Sequence, residues 1–470
     1  MVNAKHAFLL GGTHSGCGKT TLALALMAAF EARDLRVQPF KVGPDFIDTG
    51  LHGRVAARES RNLDGWMLSH SYNCELFQER MAGADLAVVE GVMGLYDGYD
   101  GLTEAGSSAQ MAKRLGLPVI LVVDASSMAR SAAALVYGYS KFDPDLNLAG
   151  VVFNRVGGKG HLEYLKEAMA SSLPRVTVFG GIPREEAVRI PERHLGLLTA
   201  DEAQLTPQWR SKLVELVERH LDLDEILRKS VYSGPVTAGE KEKPPRSPRP
   251  VPIAVAKDAA FCFYYADNFD LLTRWGADLR FFSPLAGETL PPGSAGLILG
   301  GGYPELFASR LAGQGRFLAE VRRAAAAGMP VYAECGGLMT LSRSIETLEG
   351  EVFPMAGILP FRTRMLSRRK ALGYTEVELR SSCLLGEPGQ VIRGHEFHYS
   401  EIADMDEGES LERVYEIRGR KGSEPRPEGF ATGSVLASYI HLHWGSSPGA
   451  PRHFTQRCRQ FESSRRERRF

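Results

Sequence analysis

The segment GTHSGCGKTT, residues 12–21, decides the fold of the first half of the chain. It follows the apolar run HAFLLGG and precedes the helical run LALALMAAF, so it joins a strand to a helix. Glycines and a Lys-Thr pair in that context are typical of a loop whose backbone N–H groups bind phosphate. The usual pattern G-x-x-x-x-G-K-[ST] would place glycine at position 13, where this chain has Thr13. The alternative, a glycine-rich turn with an incidental lysine, is disfavoured by the strand–loop–helix context.

The loop and the start of the helix supply candidate nucleotide-binding residues. In such loops the lysine contacts the terminal phosphates and the next hydroxyl binds Mg²⁺. The candidates are Gly16, Gly18, Lys19, Thr20 and Thr21. Lys41 in RVQPFKVG is a candidate second positive charge near the phosphates, or else a solvated lysine at a strand end.

Two carboxylates at predicted strand ends are candidate Mg²⁺ ligands together with Thr20. Asp45 lies in KVGPDFID, and Glu90 follows the apolar run LAVV. Acids at the carboxyl ends of parallel strands lie where ligands bind in open α/β sheets, and Mg²⁺ prefers oxygen ligands. Either acid alone is equally consistent with a helix cap or a surface carboxylate. The neighbouring phosphate loop favours the metal-binding interpretation.

The chain of 470 residues is predicted to contain two α/β regions and a linker. Apolar runs alternate with helical segments over residues 1–232, as expected for a parallel sheet covered on both faces. The segment SGPVTAGEKEKPPRSPRP, residues 233–250, is rich in proline, glycine and charge and is predicted to be an exposed linker. A second α/β region spans 251–447, and the basic segment 448–470 is expected to be a solvated tail.

Charge and cysteine usage exclude several classes of function. The 56 basic residues balance the 56 acidic ones, so no nucleic-acid or membrane-surface partner is indicated. Six single cysteines without a C-x-x-C spacing argue against a zinc site or a disulfide framework and fit a reducing compartment. No apolar run reaches membrane-spanning length. We therefore expect a cytoplasmic protein.

The segment PVYAECGGLM, residues 330–339, predicts a second reactive site. An apolar strand runs into Cys335 and two glycines follow, which is the pattern of a nucleophile elbow. The N–H of Gly336 would face a developing oxyanion. The helix N-terminus and a nearby histidine would lower the pKa of the thiol. The alternative is a buried structural cysteine.

The base that would activate the cysteine must come from elsewhere in the sequence. SYIHLHW contains His441 and His443, which alternate onto one strand face. GHEFHYS contains His395 and His398, which fall on opposite faces. Taken alone, any one of these histidines fits better a core or hairpin position satisfied by hydrogen bonds.

Several segments of the first region resemble the cobyrinic acid a,c-diamide synthases. They are GTHSGCGKTT, FKVGPDFIDTGLH, RNLDGWM, VVEGVMGLYDG and PVILVVDASSMARSAAALVYG. Thr13 is also shared with the related dethiobiotin synthetases, and this group uses ATP to phosphorylate a carboxylate. The resemblance implies a P-loop NTPase-like sheet that binds ATP.

The same resemblance implies roles for individual residues. Lys19 and Lys41 would contact phosphates, whereas Thr20, Asp45 and Glu90 would organise Mg²⁺. VVFNRV matches a segment that recognises the base in dethiobiotin synthetases, which makes Asn154 a candidate adenine contact. The alternative for Asn154 is a polar cap after a buried strand.

The second region resembles a class I glutamine amidotransferase domain, which implies a doubly wound, flavodoxin-like fold. By this resemblance Cys335 attacks the glutamine amide and His441 activates it. The segment LGGGYPE, residues 299–305, matches the oxyanion loop, where the backbone of Gly302 or Tyr303 would donate.

One position departs from the wider amidotransferase pattern. The usual His-x-Glu is absent because Leu442 and His443 follow His441. The diamide synthases share that loss. The residue that orients His441 is therefore not identified, and His443 is the second candidate for the base.

Two sites in one chain imply a coupled reaction. ATP would phosphorylate a carboxylate, and ammonia from glutamine would displace the phosphate through an internal path, because ammonia released into water would be protonated. By resemblance the substrate is a corrin polycarboxylate, cobyrinic or hydrogenobyrinic acid, amidated on its a and c acetates by a monomer or homodimer. The alternatives are a nickel-sirohydrochlorin a,c-diamide synthase, a cobyric acid synthase, and an ATP-dependent switch with a degenerate amidotransferase domain. The VGPDFID segment disfavours the second of these, and the intact AECGGLM segment disfavours the third.

A multiply anionic substrate would favour a basic mouth near the phosphate motifs. Arg54, Arg58 and Arg61 are candidates for it. A second basic run, FRTRMLSRRK at residues 361–370, fits better a solvated charged loop.

Overall fold

A computed structural model of the protein describes residues 5–185, 188, 205–234, 249–405, 411–419 and 424–467. The chain divides into two compact units, Met1–Glu240 and Lys241–Phe470. The division falls inside the predicted linker, of which residues 235–248 lie outside the described part of the chain.

A seven-stranded sheet forms the centre of the first unit, and its described strand pairs are all parallel. Its strands are β1 His6–Gly12, β2 Val37–Val42, β3 Arg61–Leu63, β4 Leu86–Glu90, β5 Val119–Asp124, β6 Leu148–Val156 and β7 Thr177–Pro183. The spatial order is β3-β2-β4-β1-β5-β6-β7. Strand order therefore reverses beside β1, and ligands of open α/β sheets bind at such a switch point.

Helices cover both faces of this sheet. They are α1 Lys19–Ala32, α2 Ile47–Val55, α3 His70–Met81, α4 Ser108–Leu115, α5 Arg130–Phe142, α6 Lys159–Ser172, α7 Pro207–His220 and α8 Leu223–Lys229. Alternate residues of β1 belong to separate cores: Leu9 packs with α3 to α6, and Leu10 packs with α1, α2, α7 and α8. The period of two along a buried strand explains the nearly continuous apolar runs in the sequence.

The second unit is built on a ten-stranded mixed sheet and a small four-stranded sheet. Its strands are β8 Val251–Ala256, β9 Ala277–Phe282, β10 Gly296–Leu299, β11 Val331–Glu334, β12 Ser344–Glu346, β13 Val352–Pro354, β14 Arg362–Met365, β15 Ala371–Leu379, β16 Val391–His398, β17 Ser400–Ala403, β18 Glu412–Arg418, β19 Arg426–Thr432, β20 Val435–Ser438 and β21 Ile440–Leu442. The large sheet has the order β21-β16-β15-β18-β19-β20-β11-β10-β8-β9, and the small sheet has the order β13-β12-β14-β17.

Only half of the large sheet follows the parallel pattern that the sequence predicts. Strands β9, β8, β10, β11 and β20 pair in parallel, and helices α9 Ala266–Arg274, α10 Ala308–Gly313, α11 Gly315–Ala326 and α12 Gly336–Leu341 connect them or follow them. The remaining strands of the sheet extend it in antiparallel pairs. The two α/β units confirm the predicted fold class, whereas the antiparallel extension was not predicted.

The C-terminal segment is a helix, α13 Gly449–Glu467, and our expectation of a solvated tail is wrong for these residues. Phe454 and Cys458 are fully buried, and Phe461 packs against the same core. Spacings of four and three residues place these side chains on one helical face. That face contacts α9 and β8, while the basic side chains between them supply the net charge that suggested a tail.

Candidate functional site

The predicted phosphate loop lies between the end of β1 and the start of α1 at Lys19. Gly16 and Gly18 have φ angles of 81° and 100°, in the left-handed region that favours glycine. A Cβ atom on Gly18 would lie 2.1 Å from Asn154 Nδ2, so this position excludes a larger residue for steric reasons as well. The loop geometry agrees with the sequence prediction.

The lysine of the loop is buried and is bound by backbone carbonyls. Lys19 Nζ donates to the carbonyl oxygens of Met93, at 2.5 Å, and His14, at 3.2 Å. Burial lowers the pKa of Lys19, and the charge of Lys41 acts in the same direction. The ammonium group therefore lies inside the loop that would surround a phosphate.

Glu90, at the end of β4, is at the centre of a buried polar cluster. Its Oε1 accepts hydrogen bonds from Thr20 Oγ1 at 2.7 Å and from Lys41 Nζ at 2.9 Å. His52 Nε2 lies 2.7 Å from the other carboxylate oxygen. Burial alone would raise the pKa of Glu90, but Lys41, His52 and Thr20 together lower it. The structure therefore brings two predicted site residues, Thr20 and Lys41, and the unpredicted His52 together around the ionised carboxylate of Glu90.

Lys41 also forms an ion pair with a carboxylate that the sequence analysis did not select. Its Nζ lies 2.5 Å from Asp48 Oδ2. Burial alone would lower the pKa of Lys41, but the charges of Asp48, Glu90 and Asp45 raise it. Burial and the charges of Asp45 and Glu90 raise the pKa of Asp48. Asp48 and His52 lie four residues apart on one face of α2, so the spacing in FIDTGLH was the available signal.

Asp45, a predicted metal ligand, has a structural role in the described contacts. Its Oδ1 accepts the backbone N–H groups of Ile47, at 2.7 Å, and Asp48, at 2.9 Å, at the start of α2. One carboxylate oxygen of Asp45 therefore caps the helix, which was the alternative to metal binding in the sequence prediction. Among the described residues, no group of three or more His, Cys, Asp or Glu side chains is arranged to bind a metal ion.

Two residues at the end of β6 donate hydrogen bonds to the backbone of the phosphate loop. Asn154 Nδ2 donates to the carbonyl oxygen of Cys17 at 2.8 Å, and Arg155 Nη2 donates to that of Gly16 at the same distance. Arg155 also pairs with Asp124. The predicted adenine contact of Asn154 stays a prediction, whereas its contact with the loop is a structural role that the sequence did not indicate.

Arg58 and Arg61, which were proposed for a basic mouth, make contacts within the first unit. Arg58 donates to Gln38 Oε1 and to the carbonyl oxygen of Gly83, at 3.2 and 2.7 Å. Arg61 is buried and pairs with Glu59 at 2.8 Å. These contacts favour a structural role for both guanidinium groups.

The predicted nucleophile elbow is present in the second unit. Cys335 joins β11 to α12 with φ 46° and ψ −101°, a conformation that is rare for a residue other than glycine. A Cβ atom on Gly337 would lie 2.1 Å from the carbonyl oxygen of Leu299, and one on Gly336 would lie 3.2 Å from Gly302 N. The two glycines therefore allow the elbow to pack against the predicted oxyanion loop.

The electrostatic environment of Cys335 differs from our expectation. Burial raises the pKa of the thiol, and the nearby carboxylates of Glu305, Glu334 and Glu396 act in the same direction, while the N–H of Gly336 opposes them. The predicted lowering of this pKa is therefore wrong for the structure described. Burial also raises the pKa of Glu305 to about 7.

His441, the predicted base, lies close to Glu334 at the end of β11, the strand that leads into the elbow. Its Nδ1 is 3.7 Å from Glu334 Oε2, and its ring stacks on His395 with centroids 5.0 Å apart. A Cβ atom on Gly301 would lie 2.3 Å from His441 Cε1, so this part of the oxyanion loop packs against the imidazole. Cys335 Sγ itself lies 3.9 Å from the carbonyl oxygen of Phe397.

His443, the second candidate for the base, is directed to a different acid. Its Nε2 lies 3.5 Å from Asp267 Oδ2, and its Nδ1 accepts the N–H of Gly445 at 3.2 Å. His398, on the opposite face of β16 from His395, lies 3.0 Å from Glu396 Oε1. The structure therefore favours His441 over His443 as the partner of the elbow.

No described helix is both long enough and apolar enough to span a membrane. Residues 8–198 match a family model described as the CobQ/CobB/MinD/ParA nucleotide binding domain. Residues 252–449 match one described as the CobB/CobQ-like glutamine amidotransferase domain. These matches cover the two regions that contain the predicted sites.

Three curated proteins are similar to the chain over nearly its full length, and each is named cobyrinate a,c-diamide synthase. The protein from Syntrophotalea carbinolica is 46% identical over 96% of this chain and 98% of its own length. The protein from Salmonella typhimurium is 43% identical over 98% of this chain and 100% of its own length. The protein from Caldanaerobacter subterraneus is 43% identical over 97% of this chain and 98% of its own length.

Proposed function

Because the chain belongs to the family of cobyrinate a,c-diamide synthases, we propose that it amidates the a and c acetates of a corrin through acyl-phosphate intermediates. Members of this family are carbon–nitrogen ligases with glutamine as the amido donor. ATP is the co-substrate of the nucleotide-binding domain. One observation supports the proposal most directly. The chain is more than 40% identical to these synthases over nearly its full length, which includes both the nucleotide-binding region and the amidotransferase region.

The first half-reaction requires a site that tolerates charge on a transferring phosphoryl group. In our proposal Lys19 and Lys41 contact the phosphates, with Gly16, Gly18 and Thr21 in the loop that surrounds them. Phosphoryl transfer depends on positioning and on neutralising charge that spreads over the phosphoryl oxygens. The two buried ammonium groups suit that role because both are oriented by protein contacts before ATP binds.

The residues at the loop also fit Mg²⁺. Thr20 Oγ1 and Glu90 Oε1 lie 2.7 Å apart beside the phosphate loop, and both are the oxygen ligands that Mg²⁺ prefers. Thr20, Glu90 and Asp45 would bind the ion, which supplies charge neutralisation at the phosphates. Since Mg²⁺ usually keeps several waters and phosphate oxygens as ligands, a complete protein cage is not required.

The phosphorylated carboxylate then reacts with ammonia. Attack of ammonia on the acyl carbon forms the C–N bond, breaks the bond to phosphate and releases a proton and inorganic phosphate. Glutamine hydrolysis at Cys335 releases this ammonia. The thiolate of Cys335 attacks the amide carbon of glutamine, and His441 protonates the departing ammonia. Water then hydrolyses the thioester to glutamate. Phosphorylation is needed because an ionised carboxylate repels nucleophiles and has no good leaving group.

The test is mass spectrometry of the products formed from a panel of tetrapyrrole acids with ATP and glutamine. Cobyrinic acid should gain two amides, with one ATP consumed for each. If only a nickel sirohydrochlorin were amidated, or if amides formed without ATP, the proposal would be wrong.

Two variants separate the sites. Cys335→Ser should lose synthesis with glutamine but retain it with added ammonia. Lys19→Ala should lose synthesis with both nitrogen sources. Equal glutamine hydrolysis by the wild type and Cys335→Ser would contradict the role of the second site.

A further inference from the structure

We propose that Glu334 is the positioning residue for His441 and replaces the carboxylate that other amidotransferases place two residues after the histidine. This inference rests on the proposed roles of Cys335 and His441 in glutamine hydrolysis. Glu334 is the last residue of β11 and immediately precedes Cys335. Its Oε2 lies 3.7 Å from His441 Nδ1, and both side chains are buried.

The carboxylate of Glu334 is oriented by two hydrogen bonds to its other oxygen. Tyr332 Oη donates to Oε1 at 2.6 Å, and the backbone N–H of Leu442 donates to the same atom at 3.0 Å. Because Leu442 follows His441, the second bond also links the carboxylate to the strand that bears the histidine. With Oε1 bound in this way, Oε2 faces the imidazole.

The other neighbours of His441 are consistent with this role. His395 stacks on the imidazole, and Tyr265 Oη lies 2.8 Å from His395 Nδ1. Burial and the proximity of His441 lower the pKa of His395, so this neighbour stays neutral at physiological pH. Phe263 presents an apolar ring edge, with centroids 6.4 Å apart. Glu334 thus places a carboxylate at the Nδ1 side of His441, while the stacked imidazole of His395 adds no charge of its own.

A carboxylate at Nδ1 selects the imidazole tautomer that catalysis needs. With the proton on Nδ1 directed to Glu334, Nε2 is the acceptor for the thiol proton of Cys335. His441 returns that proton to the departing ammonia, while the carboxylate of Glu334 holds the imidazole in position. The separation of 3.7 Å is longer than a hydrogen bond, and contacts of this kind often shorten when substrate binds.

The usual location of the orienting acid is occupied differently in this chain. His443 stands two residues after His441, and its Nε2 lies 3.5 Å from Asp267. In this chain the acid near Nδ1 of His441 is Glu334, at the end of the strand before the nucleophile. The elbow and its base are therefore linked through a single side chain adjacent to the reactive cysteine.

The test compares Glu334→Gln with Glu334→Asp in the full-length enzyme, with both nitrogen sources. Glu334→Gln should lower kcat for glutamine hydrolysis by about a hundredfold or more, with little change in KM, while synthesis from ammonia is unchanged. Glu334→Asp retains the charge and should keep more activity than Glu334→Gln. The matched control is Glu376→Gln on β15, where Glu376 forms a half-exposed ion pair with Arg393 of β16, and this variant should behave as wild type.

Unchanged hydrolysis in Glu334→Gln would overturn the inference, as would equal impairment of the Gln and Asp variants. Loss of synthesis from ammonia as well would indicate a structural role and would also overturn it. Each of these results leaves the proposed function intact, provided that Cys335→Ser abolishes hydrolysis.

A second variant tests the same inference if Glu334→Gln fails to fold. Tyr332→Phe removes one donor to Glu334 and leaves Cys335 and His441 unchanged. It should lower kcat for glutamine hydrolysis by about tenfold with KM and synthesis from ammonia unchanged, because one charge-assisted hydrogen bond is lost. Wild-type hydrolysis in this variant would count against the positioning role.

Discussion

The phosphate loop and the nucleophile elbow both join a parallel strand to a helix, but the charges around them differ. At the loop, Lys41 is buried between Asp48 and Glu90, so positive and negative groups compensate each other inside the protein. At the elbow, Cys335 is buried and the nearby carboxylates oppose its ionisation. The first site is charged before any ligand binds, whereas the second retains a neutral thiol.

The difference follows from the chemistry that each site is proposed to perform. A phosphate arrives with its own charge, so fixed ammonium groups stabilise it without reorganisation. A thiolate exposed permanently would be open to oxidation and alkylation, and burial with a general base keeps the thiol protonated until the proton can move to the base. We therefore expect the first site to be sensitive to loss of charge and the second to small changes of geometry.

The largest effect is expected from Lys41→Met, which leaves Asp48 and Glu90 buried without their shared cation. Amide synthesis should fall by about a thousandfold with either nitrogen source, because a charge that stabilises the transferring phosphoryl group is lost. The free energy of unfolding of the first unit should decrease by about 3–5 kcal/mol. Steady-state assays and urea unfolding measure the two effects. Lys166→Met, at an exposed pair with Glu163, is the control and should change neither.

The proposed contrast between the two sites would be wrong if Lys41→Met retained synthesis from ammonia. It would also break if this variant slowed alkylation of Cys335 by iodoacetamide, measured on the peptide that contains the cysteine. The first result would remove Lys41 from the phosphate site, and the second would show that the two sites are not independent.

A smaller effect is expected from Gly337→Ala at the elbow. The added Cβ atom would lie 2.1 Å from the carbonyl oxygen of Leu299, so the elbow must shift and Cys335 with it. Glutamine-dependent synthesis should fall by about tenfold to a hundredfold, since a misplaced nucleophile loses its alignment. Synthesis from ammonia should not change, and parallel assays with the two nitrogen sources measure the difference.

Gly313→Ala provides the matched control for this substitution. Gly313 lies in α10, and a Cβ atom there would meet no atom within 4 Å. Alanine is the better helix former by about 1 kcal/mol, so both activities should be retained and stability should rise slightly. If Gly337→Ala behaved as Gly313→Ala does, the close packing of the elbow would not be needed for activity.

The smallest effect is expected far from both sites, at the exposed pair of Arg36 and Asp85. Three hydrogen bonds from Arg36, two from the guanidinium group and one from the backbone N–H, lower the pKa of Asp85 to about 2. A carboxyl group with a depressed pKa in the folded state contributes stability above its unfolded pKa and loses it as the pH falls. The contribution should therefore be complete at neutral pH and disappear between about pH 4 and pH 2.

Asp85→Asn removes this contribution and should lower the midpoint temperature near neutral pH by less than about 3 °C. Circular dichroism during acid and thermal unfolding measures it. The difference from wild type should vanish near pH 2, and a difference that persisted there would assign the effect to packing and not to charge.

Local patterns were sufficient for the parts of each site that lie at a strand–helix junction. The spacing in GTHSGCGKTT predicted Gly16, Gly18 and Lys19 in a loop, and PVYAECGGLM predicted the strained elbow at Cys335. Such junctions are readable because glycine positions and short-range backbone geometry depend on neighbouring residues only.

Contacts between distant segments could not be read in the same way. The spacing of Asp48 and His52 places both on one face of α2, but it does not show that Asp48 pairs with Lys41 or that His52 contacts Glu90. The predicted tail is a helix because Phe454 and Cys458 form an apolar face that packs into the core, although its basic residues give the segment a high net charge.

The two α/β units, the phosphate loop, the elbow and the family could all be predicted from the amino-acid sequence. Those features depend on periodicity and on short motifs, which survive without knowledge of the fold. The packing of distant strands, in contrast, places His441 next to Glu334 at the elbow and His443 next to Asp267. The pairing of β11 with β20 and of β16 with β21 brings these side chains together from positions more than one hundred residues apart, and no local pattern encodes that proximity.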